Sequence, residues 1–358
     1  MQSNRARQRG VHLYPLLIVG SMACSSSGTG TDGGAGDAAA LADGGSIAAD
    51  GGPSALGAPG MTTRTLAAYP DRSYDVRIPS KYDGHIAMPV LINLHGGGGN
   101  RAVAHKTTCP NGDETSSQCL DPMADARGII VVTPDGTGSP LNKNQRTWNA
   151  GGGANGWQCV SSYACNQKVD EAAYFTALLA DLQTAVHFLP TRVYVTGFSN
   201  GAALAQRLVC EIPDLIYGAA PVSGGNQYST NASCTAARPV VEIHGTTDPC
   251  WPYEGGAVSC ADPNPGNKIA ISDTMTKRLA MNGCTSTHVD TPMPDTTADG
   301  TTTVMHRYDC PAGKDVVFYE VTNGGHNWPD GFQFGSNGIL AIDFSANKVI
   351  LDFFAALP

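Results

Sequence analysis

No Lys/Arg-rich patch occurs beyond the extreme N-terminus of this 358-residue chain, and its net charge is −9. Nucleic acid is therefore an unlikely partner, because a basic footprint is missing. There is no Cys-x-x-Cys pair and no sequence run of histidines, so no zinc signature is present and no metal is expected. The apolar stretch Val11 to Met22 is too short to span a bilayer. No internal repeat and no separate carbohydrate- or polymer-binding module can be recognised.

The chain begins with a targeting pattern. Arg5, Arg7 and Arg9 precede the apolar stretch, and Ser21-Met22-Ala23 leads into Cys24. Residues 1–23 read as a signal peptide of lipoprotein type, with Cys24 lipidated; plain secretion is the alternative. Residues 25–60 are almost entirely Gly, Ala, Ser, Thr, Asp and Pro, too poor in apolar surface to fold. As a coil this tether would span roughly 30–36 Å. The catalytic domain is expected over 61–358, exported and either secreted or anchored at the cell envelope.

Cysteine usage agrees with export. Of eleven cysteines, ten remain once Cys24 is set aside. An even number in an exported chain reads as disulfides. Sequential pairing closes the shortest loops: Cys109–Cys119, Cys159–Cys165, Cys210–Cys234, Cys250–Cys260 and Cys284–Cys310. Sequence alone does not determine that connectivity.

Short apolar runs alternate with helical patterns. Strands are expected within 65–78 and at 89–94, 128–133, 192–197, 218–222, 239–243 and 316–321. Helices are expected at 170–188, 202–211, 273–281 and 343–357. This alternation predicts an α/β fold with a mostly parallel central sheet covered on both faces.

Three strand ends carry serine chemistry. Gly197-Phe198-Ser199-Asn200-Gly201 joins a strand to a helix, a turn that exposes a serine Oγ and brings the next N–H close. Asp248 lies in His244-Gly245-Thr246-Thr247-Asp248-Pro249, and His326 in Gly325-His326-Asn327-Trp328-Pro329. The order Ser, Asp, His is that of α/β-hydrolases. His326 would be the base for Ser199, and Asp248 would hold its tautomer. The oxyanion would be met by the Asn200 N–H and by an N–H of the Gly96–Gly99 loop, at Gly97 or Gly98. His95 and His244, each just before a glycine, read as strand-end residues.

These stretches, with Leu94-His95-Gly96-Gly97-Gly98, Pro134-Asp135-Gly136-Thr137-Gly138, Arg146-Thr147-Trp148-Asn149 and Val169-Asp170, resemble the polyhydroxybutyrate depolymerases and the feruloyl or acetylxylan esterases of carbohydrate esterase family 1. The resemblance covers roughly residues 64–358. It implies an α/β-hydrolase fold with disulfide-stapled loops, a Ser199–Asp248–His326 triad, and no metal or organic cofactor. Cysteine-rich insertions around 105–122 and 159–165 depart from the common pattern.

Trp148, Trp251 and Trp328 lie in or beside the catalytic loops and are expected to contact substrate. The expected function is a serine esterase acting through an acyl-enzyme on feruloylated plant cell-wall polysaccharide. Polyhydroxybutyrate depolymerisation and acetylxylan deacetylation are the alternatives. A non-catalytic envelope lipoprotein and a peptidase are further from the pattern. The only partner expected is an ester substrate, with membrane contact only through the lipid anchor.

Overall fold

A computed structural model describes residues 57–152, 159–160, 163–227, 234, 236–260, 266–335 and 337–358. The expected signal peptide, Cys24 and most of the tether lie outside the described residues.

In chain order the strands are β1 (Gly60–Thr65), β2 (Ser73–Ile78), β3 (Met88–Leu94), β4 (Ile130–Pro134), β5 (Thr137–Gly138), β6 (Arg146–Thr147), β7 (Phe188–Phe198) and β8 (Gly218–Val222). They continue as β9 (Val240–Gly245), β10 (Gly256–Ala257), β11 (Asn267–Lys268), β12 (His288–Pro292), β13 (Thr302–Tyr308) and β14 (Val316–Thr322). The helices are α1 (Arg101–Thr107), α2 (Leu120–Arg127), α3 (Tyr163–Asn166), α4 (Glu171–Gln183), α5 (Asn200–Glu211), α6 (Ile271–Asn282) and α7 (Ala346–Ala355).

Ten strands form one sheet in the order β1-β2-β4-β3-β7-β8-β9-β14-β13-β12. The run from β4 to β14 is parallel throughout, and both flanks are antiparallel. This is the α/β-hydrolase architecture expected. Strands β4, β8 and β9 are buried along their whole length, as strands covered on both faces must be. Neighbouring residues of β3 divide between the two faces. Val90 and Ile92 join a core with Leu178 of α4, Leu204 of α5 and Met275 of α6, while Leu91 joins Leu120 of α2 and Ile350 of α7.

Local chemistry sets the helix starts. Asp170 caps α4, its side chain accepting from the Ala173 N–H. Asn100 caps α1 in the same way through the Val103 N–H.

Five disulfides are present and all pair sequentially: Cys109–Cys119, Cys159–Cys165, Cys210–Cys234, Cys250–Cys260 and Cys284–Cys310.

One boundary differs from expectation. β1 begins at Gly60, and a Cβ on Gly57 would come 2.8 Å from the Ala185 carbonyl oxygen, so the chain already lies against the domain before residue 61. The segment 105–122 holds the last three residues of α1, a short 3-10 turn at Pro110–Gly112 and the start of α2.

Candidate active site

Strand β7 stops at Phe198 and α5 starts at Asn200, leaving Ser199 alone at the turn with φ 56° and ψ −115°. A serine in that region is strained by about 1–3 kcal/mol, and the surroundings must hold it there. They do so from both sides. The Ser199 N–H donates to the Val222 carbonyl at 3.0 Å, and the Ser199 carbonyl accepts from the Ala203 N–H at 3.0 Å. The flanking glycines remove every side chain that would block the turn. A Cβ on Gly197 would lie 2.7 Å from the Gly201 carbonyl carbon, and one on Gly201 would lie 2.6 Å from the carbonyl oxygens of Leu94 and His95. The start of α5 is therefore in backbone contact with β3.

Asp248 follows β9 and His326 follows β14, which are adjacent parallel strands. His326 Nδ1 donates to Asp248 Oδ2 at 2.7 Å, and both residues are buried. The other oxygen, Asp248 Oδ1, accepts the N–H groups of Cys250 at 2.8 Å and Trp251 at 2.7 Å. These three donors fix the plane of the carboxylate. The bond at Nδ1 leaves Nε2 of His326 as the nitrogen with a lone pair. The imidazole packs on Phe198, the residue before Ser199, with ring centroids 4.7 Å apart. Ser199 Oγ makes no hydrogen bond to another described residue; serine–histidine contacts in free enzymes are often loose and tighten with substrate.

The other two candidate bases are committed elsewhere. His95 Nδ1 lies 2.7 Å from the Gly96 carbonyl, and its Nε2 accepts the Gly136 N–H at 2.9 Å. Burial lowers its pKa to about 4, so it stays neutral and holds the glycine loop in place. His244 is fully enclosed, with Nε2 donating to the Trp251 carbonyl at 2.9 Å.

The first turn of α5 presents the Asn200 N–H at a helix N-terminus, where an anion is favoured. In the facing loop, Gly98 donates its N–H to the Arg146 carbonyl at 2.8 Å. Gly98 is thereby removed as an oxyanion donor, because its proton is already shared. The Gly97 N–H, in an exposed residue, has no partner among the described residues.

No protein-family model matches the chain. Feruloyl esterase B of Piromyces equi is 25% identical over 264 residues, covering 73% of this chain and 43% of that protein. NocK of Nocardia uniformis subsp. tsuyamanensis, provisionally named an esterase, is 28% identical over 254 residues, covering 68% of this chain and 66% of its own length. The chain has the α/β-hydrolase sheet order and is similar in sequence to feruloyl esterases. It spans less than half of the Piromyces protein. Among solved structures, the acetyl xylan esterase from Aspergillus awamori is 13% identical, covering 82% of this chain and 98% of its own, with a TM-score of 0.49.

The expected substrate-contacting tryptophans are core residues instead. Trp148, Trp251 and Trp328 are 0%, 1% and 1% exposed. Trp148 donates Nε1–H to the His95 carbonyl at 2.9 Å, and its backbone N–H goes to Asn200 Oδ1 at 2.7 Å. Trp328 donates to Asn347 Oδ1 at 3.0 Å. The Trp148 indole braces the loop after β3 from behind, and all three rings are enclosed in the core.

The aromatic surface near His326 comes from residues the sequence reading passed over. Phe334, half-buried, stacks on Phe198 at 6.1 Å and meets Phe332 edge-on at 4.8 Å. Their only sequence signal was the Phe-x-Phe spacing after Trp328-Pro329-Asp330-Gly331. The cation of Lys106 lies 4.2 Å over the Phe332 ring.

Proposed function

We propose that the chain is a serine carboxylic-ester hydrolase of feruloyl-esterase type, with Ser199 as nucleophile, His326 as base and Asp248 as the residue that orients it. The observation that carries this reading is the buried 2.7 Å His326–Asp248 pair set beside a serine held at φ 56°. Homology to feruloyl esterases supplies the substrate class.

In this mechanism His326 Nε2 takes the Ser199 Oγ proton as Oγ attacks the ester carbonyl carbon. The carbonyl oxygen becomes an oxyanion between the N–H groups of Asn200 and Gly97. As the C–O bond breaks, the imidazolium gives its proton to the departing sugar hydroxyl. Water then attacks the acyl-enzyme by the same route and releases the free acid. Asp248 stabilises the imidazolium at each step. Phe334 and Phe332 offer ring surface to a hydroxycinnamoyl group.

The five disulfides fit an oxidising compartment, and the proposed setting is extracytoplasmic, with release or lipid anchoring through Cys24. A fluorophosphonate probe, followed by turnover of methyl ferulate and of polyhydroxybutyrate film, tests the reading. We expect labelling at Ser199, loss of labelling in Ser199→Ala, and turnover of methyl ferulate. An unlabelled wild-type protein overturns the enzyme assignment; turnover of the film alone overturns the acyl preference.

A further inference from the structure

We propose that His288, Asp290 and His306 form a binding site for a divalent transition-metal ion of the zinc type, on the antiparallel hairpin at the outer edge of the sheet. β12 is the edge strand and β13 its partner. Asp290 lies directly opposite His306, and His288 is two residues along on the same face. One ligand atom from each of the three falls within 4.8 Å of the others. The histidines stand 18 positions apart in the sequence, so only strand pairing brings them together.

Three observations support a cation here. First, His288 Nδ1 lies 3.0 Å from the Ser286 carbonyl oxygen, which can only accept, so Nδ1 carries the proton. Nε2 then presents its lone pair to Asp290 Oδ1 at 3.3 Å. Two acceptors at that distance repel unless a positive charge joins them. Either a second proton on the ring or a bound cation supplies that charge, and the metal titration below tells the two apart.

Second, the spacing suits a tetrahedral ion. Ligand bonds of about 2.0–2.1 Å place neighbouring ligand atoms roughly 3.3 Å apart. The His288–Asp290 separation is 3.3 Å, and His306 Nδ1 reaches the same Asp290 oxygen at 2.7 Å. The latter contact is a hydrogen bond when no ion is bound and must open by about 0.6 Å on ligation.

Third, each imidazole has an acceptor facing its second nitrogen, as metal-bound histidines do, though only that of His288 is within hydrogen-bond distance. For His288 it is the Ser286 carbonyl. For His306 it is Glu320, whose Oε2 lies 3.9 Å from Nε2. That carboxylate is held by the Tyr253 hydroxyl at 2.7 Å. His306 Nε2 is buried and unbonded without the ion. On ligation through Nδ1 its proton moves to Nε2 and faces Glu320, with no net proton released. Water would complete the four ligands on the exposed side.

A bound ion would clip the exposed edge strand β12, whose five residues all face solvent, to β13. The other carboxylate–imidazole group near a sulfur, Asp248, Cys250 and His326, is no competitor as a thiolate site, because Cys250 is in a disulfide.

Protein stripped with a chelator and titrated with Zn2+ alone tests the site by calorimetry. One saturable equivalent is expected, with a rise in Tm. His288→Ala and His306→Ala should each abolish it, and Glu320→Gln should weaken it about tenfold. Co2+ in place of Zn2+ should give the visible absorption of a tetrahedral site in the wild type and none in His306→Ala. No saturable binding by the folded wild type overturns the proposal. Binding that survives both alanine variants but disappears in His326→Ala also overturns it.

Discussion

The Nε2 atom of His244 lies 3.5 Å from Asp248 Oδ2, the same oxygen that His326 holds at 2.7 Å. Asp248 therefore sits between two imidazoles, one toward Ser199 and one inside the sheet. Behind His244 stands Glu242, also buried, with Oε1 3.8 Å from His244 Nδ1. Glu242 Oε2 accepts from Gln206 Nε2 at 2.9 Å, and Gln206 Oε1 accepts from Arg278 Nη2 at 2.9 Å. Burial lowers the His244 pKa, but Glu242 and Asp248 more than offset it and the net direction is up. His244→Phe should lower kcat about tenfold, or ~1.4 kcal/mol of barrier, with little change in KM. Steady-state kinetics on methyl ferulate check this. A raised KM at normal kcat would mean that His244 shapes binding rather than the orientation of Asp248.

The strain at Ser199 gives a stability prediction separate from activity. Glycine accepts φ 56° without a Cβ penalty, whereas alanine keeps it. Ser199→Gly and Ser199→Ala should both be inactive, with the glycine variant more stable by roughly 1 kcal/mol. Urea denaturation of the two variants measures the difference; equal stabilities would show that the turn is not strained.

Phe334 and Trp148 should separate cleanly. Phe334→Ala removes partly exposed ring surface stacked on Phe198, the ring against which His326 packs, and should raise KM for methyl ferulate roughly tenfold while leaving Tm nearly unchanged. Trp148→Ala empties a fully buried site and should cost about 3–5 kcal/mol of stability. A KM effect confined to the tryptophan variant would return the substrate-contacting role to the indole.

His105 supplies a pH-dependent contribution to stability. Its Nε2 is 3.3 Å from Asp75 and its Nδ1 is 2.9 Å from Asp121. Arg101 shares Asp75, at 3.1 Å. Burial lowers the imidazole pKa, but the two carboxylates outweigh it and raise the value from 6.5 to about 9. A raised pKa stabilises the fold fully below the unfolded value and loses that contribution as pH rises through the folded one. The rise corresponds to roughly 3 kcal/mol. The Tm gap between wild type and His105→Gln should be widest near about pH 6 and close between about pH 7 and 9. A gap that stays constant across that range would show that the charge contributes nothing.

The legible parts of this chain were those whose chemistry is local. Continuous apolar runs such as Gly218–Val222 marked the parallel strands, because both faces are covered. Asp170 marked the start of α4, and the Gly-Phe-Ser-Asn-Gly turn marked the strained strand-to-helix junction at Ser199. β12 and β13 escaped notice because β12 is fully exposed and β13 mostly polar and half-buried, so no hydrophobic alternation announces them. Their histidine cluster was hidden for the same reason. The indoles misled because a residue beside a catalytic loop can point to either side of it. Gly98 misled because its partner, the Arg146 carbonyl, lies 48 positions away and is set by tertiary folding.

The glycines around Ser199 have a practical meaning for anyone who wishes to alter what this protein cleaves. A Cβ at Gly224 would fall 2.4 Å from the Ser199 carbonyl oxygen, and those at Gly197 and Gly201 would strike backbone at 2.7 and 2.6 Å. A mutant library has nothing to gain at these three positions, since any side chain displaces the nucleophile itself. Diversity is better spent on Phe332 and Phe334, whose side chains are partly exposed and lie against other side chains rather than backbone.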